Sequence, residues 1–124
     1  MKRYQKIYDR DGYRCIYCKQ PLWEDFRIWH SAVEDHLYPQ SKKHNGSNLE
    51  TNIVPSCQLC NSLKGDFIPK PFADQEGVLI RKNGKVEVNA DFRNEYIRLV
   101  TDEIEKQKTV REAEFNLERK RRGT

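Results

Sequence analysis

Seven residues of this chain could do chemistry together. Four are cysteines in two Cys-x-x-Cys pairs, Cys15/Cys18 and Cys57/Cys60, with 38 residues between the pairs. Two residues between cysteines let both thiolates point at one tetrahedral Zn²⁺, and two such hooks make a closed structural site with no open position for water. Disulfides and a redox-active dithiol are the rival readings. A reducing compartment opposes the first, and the second leaves one pair without a role. The other three residues are Asp35, His36 and Asn61. Asp35 and Asn61 offer hard oxygen donors, enough to hold one Mg²⁺ or Mn²⁺ that keeps water or other ligands besides. Histidine, with an ordinary pKa of about 6.5, can accept a proton as neutral imidazole at neutral pH.

The elements that must position these residues can be read from the pattern. Residues 3–10 read as a short helix with Tyr4, Ile7 and Tyr8 on one apolar stripe. Asp11-Gly12 breaks it, and Pro21 closes the turn that carries Cys15 and Cys18. Residues 26–36 are aromatic and β-branched enough to predict a strand, with Ile28, Trp29 and Val33 inward. A polar loop over 40–51 leads to a second strand at 52–56. A helix of about two turns follows at 58–64, ended by Gly65.

Asp35-His36 followed by Pro39, then Asn52, then Cys57-Gln58-Leu59-Cys60-Asn61 and Lys64-Gly65 closely resembles the HNH endonuclease family. Arg10-Asp11-Gly12-Tyr13-Arg14-Cys15 with Cys18 resembles the leader of members that carry a zinc knuckle. The resemblance covers about residues 9–66 and implies a small α+β fold built on a ββα-metal finger with a structural Cys₄ zinc. It implies that His36 is the general base that activates water, and that Asp35 and Asn61 hold the catalytic ion, which stabilises the pentacovalent phosphate and the departing 3′ oxygen. Asn52 would brace the loop that carries the base. The products would be 5′-phosphate and 3′-hydroxyl ends. Asn61 stands where some members have His, so the chain resembles the H-N-N variant. It departs from the family where a Gly-Gly is expected; Ser41-Lys42-Lys43-His44-Asn45-Gly46 stands there instead.

Such chemistry suits a phosphodiester, which needs a base for water, a cation on the phosphate and an in-line geometry. Lys42 and Lys43 are candidate phosphate contacts. Lys64, one turn beyond Asn61, either reaches a phosphate or is simply exposed. His44 reads as loop surface and His30 as a packed or surface residue without a role. Trp23 and Trp29 could stack on bases, though core packing is the commoner use of tryptophan.

Residues 67–124 lie beyond the resemblance. Residues 78–88 predict a β-hairpin about Asn83-Gly84. A helix from Asp91 places Phe92, Tyr96, Leu99, Val100 and Ile104 on one face, with Asp102 and Lys106 as an i,i+4 pair. Val110, Ala113 and Leu117 continue on another phase, and Thr109-Val110-Arg111-Glu112 fits a capping box, so a kink or second helix is predicted near Thr109, with 118–124 frayed; a continuous helix bent around the core is the rival reading.

At 124 residues the chain is long enough for one domain and too short for two, so 1–124 is read as a single domain. With 34% charged residues and a mean hydropathy of −0.96, the apolar core must be small. A bound metal would supplement it by an apparent 10–16 kcal/mol or so. No apolar run resembles a signal or a membrane span, which points to a soluble, cytoplasmic protein. The net charge of +4 sits in the tail: residues 106–124 hold seven Lys or Arg against three Glu. That excess suits a polyanion, with double-stranded DNA the expected substrate and action on RNA or branched DNA a third possibility that the motif leaves open. The alternative is a zinc-stabilised nucleic-acid-binding module without turnover, which would have no need of Asp35, His36 and Asn61 together.

Overall fold

The computed structural model describes residues 5–123, so Tyr4 of the predicted N-terminal stripe lies outside them. The core is drawn from every part of that span. Ile7, Tyr8 and Leu22 come from the N-terminal third, Leu37, Ile53 and Val54 from the middle, and Phe72, Val86, Tyr96, Val100 and Ile104 from the C-terminal half. The architecture is a small mixed α/β one.

Helix α1 (Gln5–Arg10) buries Ile7 and Tyr8. It ends in a turn where Gly12 and Tyr13 both take positive φ. Its last residue ties it to the middle of the chain. The Arg10 guanidinium donates to the carbonyls of Glu50 at 2.9 Å and Ile53 at 2.7 Å, and pairs with Asp11 at 2.7 Å. A bridge between Arg14 and Pro21 closes the turn that carries Cys15 and Cys18.

The predicted strand over 26–36 is corrected. Residues Phe26–Ser31 form helix α2, and only Val33–His36 form strand β1. The reason is Asp25, whose carboxylate accepts from the amides of Arg27 at 2.8 Å and Ile28 at 3.3 Å and so caps a helix that the β-rich composition alone disfavours. Strand β2 (Ile53–Ser56) pairs antiparallel with β1, placing Asp35 opposite Val54 and His36 opposite Ile53. Helix α3 (Gln58–Lys64) follows, ending at Gly65 with φ of +52°. A short helix α4 (Lys70–Asp74) buries Phe72.

The hairpin forms as predicted from β3 (Leu79–Lys82) and β4 (Lys85–Val88). Asn83 and Gly84 take φ of +52° and +78°, the pair of positive values that a type I′ turn requires. Strand β4 also docks on the loop between β1 and β2. Val86 N–H donates to Asn45 O at 3.0 Å, Ser47 N–H to Val86 O at 2.8 Å, and the Asn45 side chain to Gly84 O at 2.6 Å. Gly46 lets the loop fold back against its own start, since a Cβ there would lie 2.1 Å from the Tyr38 carbonyl oxygen.

Helix α5 (Arg93–Arg121) is continuous for 29 residues, which corrects both the predicted break near Thr109 and the predicted fraying from 118. The Thr109 hydroxyl donates back to Glu105 O at 3.0 Å instead of capping a new helix. Tyr96, Ile97, Val100 and Ile104 are buried, while Val110, Phe115 and Leu117 are exposed. An apolar phase that packs against little exerts no pull on the backbone, so the helix continues through it. Asp102 pairs with Arg98 at 3.3 Å and not with Lys106. Among the described residues no helix is long and apolar enough to cross a membrane.

Candidate active site

The first cluster is the sulfur one. The turn of Arg14–Pro21 presents Cys15 and Cys18, the end of β2 presents Cys57, and the first turn of α3 presents Cys60. Their four sulfur atoms all lie within 4.8 Å of one another. Cys18 and Cys57 are 3.8 Å apart, far beyond a disulfide of about 2.05 Å and close to the edge of a tetrahedron with metal–sulfur bonds of about 2.3 Å. All four cysteines are free thiols. Hydrogen bonds from Cys57 and Cys60 hold the Cys15 thiol far below its ordinary value, while that anionic neighbour pushes Cys57 up to about 11 and Cys60 up as well. The four cysteines are positioned to hold a metal ion.

The second cluster lies in a cleft of about 320 Å³ lined by Asp35 and His36 from β1, Gln40 and Ser41 from the loop, and Asn61 and Lys64 from α3. The three residues singled out for oxygen ligation and proton transfer thus face one space. Pairing with β2 sets their depth: Asp35 is buried at 7% exposure, and its neighbour His36 is half-buried at the rim.

Asp35 is held from two sides. Tyr17 donates its hydroxyl to Oδ2, and the Lys64 ammonium lies 3.4 Å from each carboxylate oxygen. Burial raises the Asp35 pKa, opposed by Lys64 and by the Tyr17 hydrogen bond. Burial and Asp35 in turn push Tyr17 well above its ordinary value. Lys64 corrects the expectation of an exposed or phosphate-seeking side chain. It is 3% exposed, and its Nζ also donates to His36 O at 3.0 Å, because the alkyl stem packs between α3 and β1 and leads the charge inward to the carboxylate.

Two amides shape the His36 side of the cleft. Asn52, fully buried, accepts from Tyr38 N–H at 2.8 Å and donates to Tyr38 O at 3.0 Å and Ser47 O at 2.8 Å, so both ends of the 38–47 loop hang on one side chain. It is a brace and does not line the cleft. Asn48 Oδ1 accepts from Gln40 Nε2 at 2.7 Å and lies 2.8 Å from His36 Nε2. An oxygen already accepting from Gln40 accepts from His36 too, which places the imidazole proton on Nε2 and leaves the Nδ1 lone pair free to take another.

An oxygen-loving divalent ion fits this donor set. A carboxylate has about four lone-pair sites, of which Tyr17 and Lys64 use some. Among the described residues no hydrogen bond engages the Asn61 side-chain amide, which faces the same cleft. Lys42 and Lys43 are exposed on the loop beyond the cleft. Sequence reasoning missed Tyr17, Asn48 and Gln40. Asn48 and Gln40 lie in a polar loop with no periodicity to mark them, and Tyr17 reads only as a residue of the cysteine turn. Trp23 and Trp29 meet edge to face, ring centres 4.8 Å apart, within a cluster that includes Tyr8 and Tyr13.

Comparison with known proteins finds a match over the segment that carries this cleft. Residues 15–67 match the family model described as HNH endonuclease. The chain is similar to a Bacillus subtilis (strain 168) protein named "SPbeta prophage-derived putative HNH endonuclease YoqL", with 31% identity over 67 residues, 52% of this chain and 29% of the relative. The chain therefore spans less than a third of that relative's length. No solved structure matches the chain.

Proposed function

From the premise that residues 15–67 are an HNH endonuclease family domain, we propose that this chain is a metal-dependent endonuclease hydrolysing DNA phosphodiester bonds, with β1, β2 and α3 as its ββα-metal core. The observation that carries the reading is the convergence of Asp35, His36 and Asn61 on one cleft. His36 takes the proton of an attacking water on Nδ1, with Asn48 holding the ring through Nε2. Asn52 and Lys64 hold the loop and strand end that carry this histidine. Asp35 and Asn61 hold Mg²⁺ or Mn²⁺, which when bound supplies charge stabilisation to the phosphate and leaving oxygen. Zinc bound by Cys15, Cys18, Cys57 and Cys60 is scaffold: Cys60 precedes Asn61 directly, so the sulfur site fixes the turn of α3 that presents the ligand.

One observation favours a second reading, a zinc-stabilised nucleic-acid-binding module without turnover. Lys64 already neutralises the carboxylate that would take the metal. A single experiment separates the two. Supercoiled plasmid is incubated with Mg²⁺, Mn²⁺ or EDTA, with wild type beside His36→Ala. Divalent-dependent relaxed or linear product from wild type, lost with the variant, supports the nuclease. Product that survives His36→Ala unchanged removes the proposed base, and plasmid shifted but uncut by wild type supports the binding module.

A further inference from the structure

We propose that the loop after β1 and the β3–β4 hairpin form one rigid cationic ledge that receives double-stranded DNA as it leaves the cleft. The inference rests on the nuclease reading and adds the surface that would hold the substrate. The hairpin lies outside the residues that match the family, so its contribution has to be argued from this chain alone.

Charge is the first argument. Residues 40–49 and 79–88 together carry Lys42, Lys43, Arg81, Lys82 and Lys85 against a single carboxylate, Glu87, so these two short segments concentrate an excess equal to that of the whole chain. Glu87 is buried, where Lys82 at 3.1 Å and the Thr51 hydroxyl at 2.9 Å engage it. Among the described residues Lys42, Lys43, Arg81 and Lys85 enter no ion pair. The hairpin register sets Lys82 directly opposite Lys85 beside the turn, and with Lys82 engaged by Glu87 it is the Lys85 charge that is left for an anionic partner.

Rigidity is the second. Lys85 Nζ donates to Asn45 Oδ1 at 2.8 Å, the Asn45 amide donates to Gly84 O at 2.6 Å, and Gly46 bridges Val86. The hairpin tip is thus fastened to the loop, and that same loop contributes Gln40 and Ser41 to the cleft wall. A duplex with one phosphate in the cleft would meet a loop and hairpin backbone already fastened together, with Lys85 held in place, so that little loop ordering is left to oppose binding. The basic end of α5 is different: Glu118 there pairs with Arg121 at 3.4 Å and Arg122 at 2.7 Å.

The test is fluorescence anisotropy of the full chain with a labelled 20-base-pair duplex in Ca²⁺ over a range of NaCl. Lys42→Ala/Lys43→Ala/Lys85→Ala is compared with Arg119→Ala/Lys120→Ala/Arg121→Ala, with thermal melts of both and a Lys→Arg version of the first triple. Each phosphate neutralised contributes about 0.9 to the slope of log affinity against log salt, so the ledge triple should flatten that slope by about 2–3 and the arginine version should restore it. The α5 triple should leave it in place. An unchanged slope for the ledge triple, or the loss appearing with the α5 triple instead, overturns the proposal. So does tighter binding of single-stranded RNA that the ledge triple weakens in the same way. Plasmid cleavage run in parallel keeps the two readings apart. Wild type that cuts and needs His36, with a salt slope indifferent to the ledge, sinks only the ledge. Wild type that neither cuts nor binds duplex sinks both.

Discussion

Two clusters flank helix α3, one of sulfur and one of oxygen donors, and they are built differently. The sulfur cluster is closed: four soft ligands from two turns stand at tetrahedral spacing and leave no side open. The oxygen cluster is open, one wall of a cleft, with a carboxylate already shared between Tyr17 and Lys64 and an amide that no hydrogen bond engages among the described residues. The contrast teaches that the first can be filled once and left, while the second must stay ordered whether or not an ion is present. Lys64 gives that order. A buried carboxylate without a partner would shift its pKa or swing out, and an ammonium supplied by α3 holds it facing the cleft.

The comparison can be broken from either side. The largest effect is expected at the sulfur site: Cys57→Ser, or zinc chelation, removes a binding free energy of about 10–16 kcal/mol and should unfold the chain, read by metal content and circular dichroism. A variant that melts like wild type would show that the sulfurs hold no structural ion. Next is His36→Ala, expected to cost about 10²–10⁴-fold in plasmid cleavage with zinc content and melting temperature unchanged, since the imidazole sits at the rim.

At Asp35 stability and chemistry are entangled. Asp35→Ala strands the buried Lys64 ammonium and should cost about 3–5 kcal/mol in denaturant melts. Asp35→Asn/Lys64→Met removes both charges and should recover much of that stability while remaining inactive and blind to Mn²⁺ by calorimetry. A double variant as unstable as Asp35→Ala would mean that the pair is not what matters. The pH dependence carries a sign. Because burial raises Asp35, the folded chain binds this proton more tightly than the unfolded one. Its contribution to stability is therefore full below the unfolded value of about 3.9 and is lost as pH rises through the raised folded value. Divalent-ion affinity must move the other way over that window. Calorimetric titrations with Mn²⁺ that weaken only below the ordinary carboxylate range would contradict the raised pKa.

Smaller effects sharpen the picture. Asn48→Ala frees the His36 ring and should cost roughly 1 kcal/mol in transition-state stabilisation, about tenfold or less in rate, without moving the melt. Removing residues 118–124 should change stability by less than about 0.5 kcal/mol, because that part of α5 is exposed. A larger drop in the melting temperature would reveal packing of the helix end that the exposed Leu117 and Val110 do not suggest.

Much of this was legible in the residues themselves. Cysteine spacing identified the sulfur cluster because two-residue hooks constrain their own geometry, and Asn83-Gly84 identified the hairpin because a type I′ turn demands two positive φ angles. Asp35, His36 and Asn61, which line one cleft, were singled out through order along the chain. Other features escaped for physical reasons. The 26–31 segment has strand-like composition, yet one capping carboxylate at Asp25 decided for helix. The apolar phase change near Thr109 suggested a break, but a helix half that packs against little need not keep phase with the core.

What the sequence by itself determined is what is local in the chain: which residues can bind metal or accept a proton, and where turns must fall. Only the tertiary structure decided that Lys64 turns inward onto Asp35, that Asn48 aligns His36, and that a hairpin about forty residues downstream clamps the Asn45–Gly46 loop beside the cleft. Those contacts join residues distant in the chain, and their energies depend on burial and direction, which no local pattern encodes.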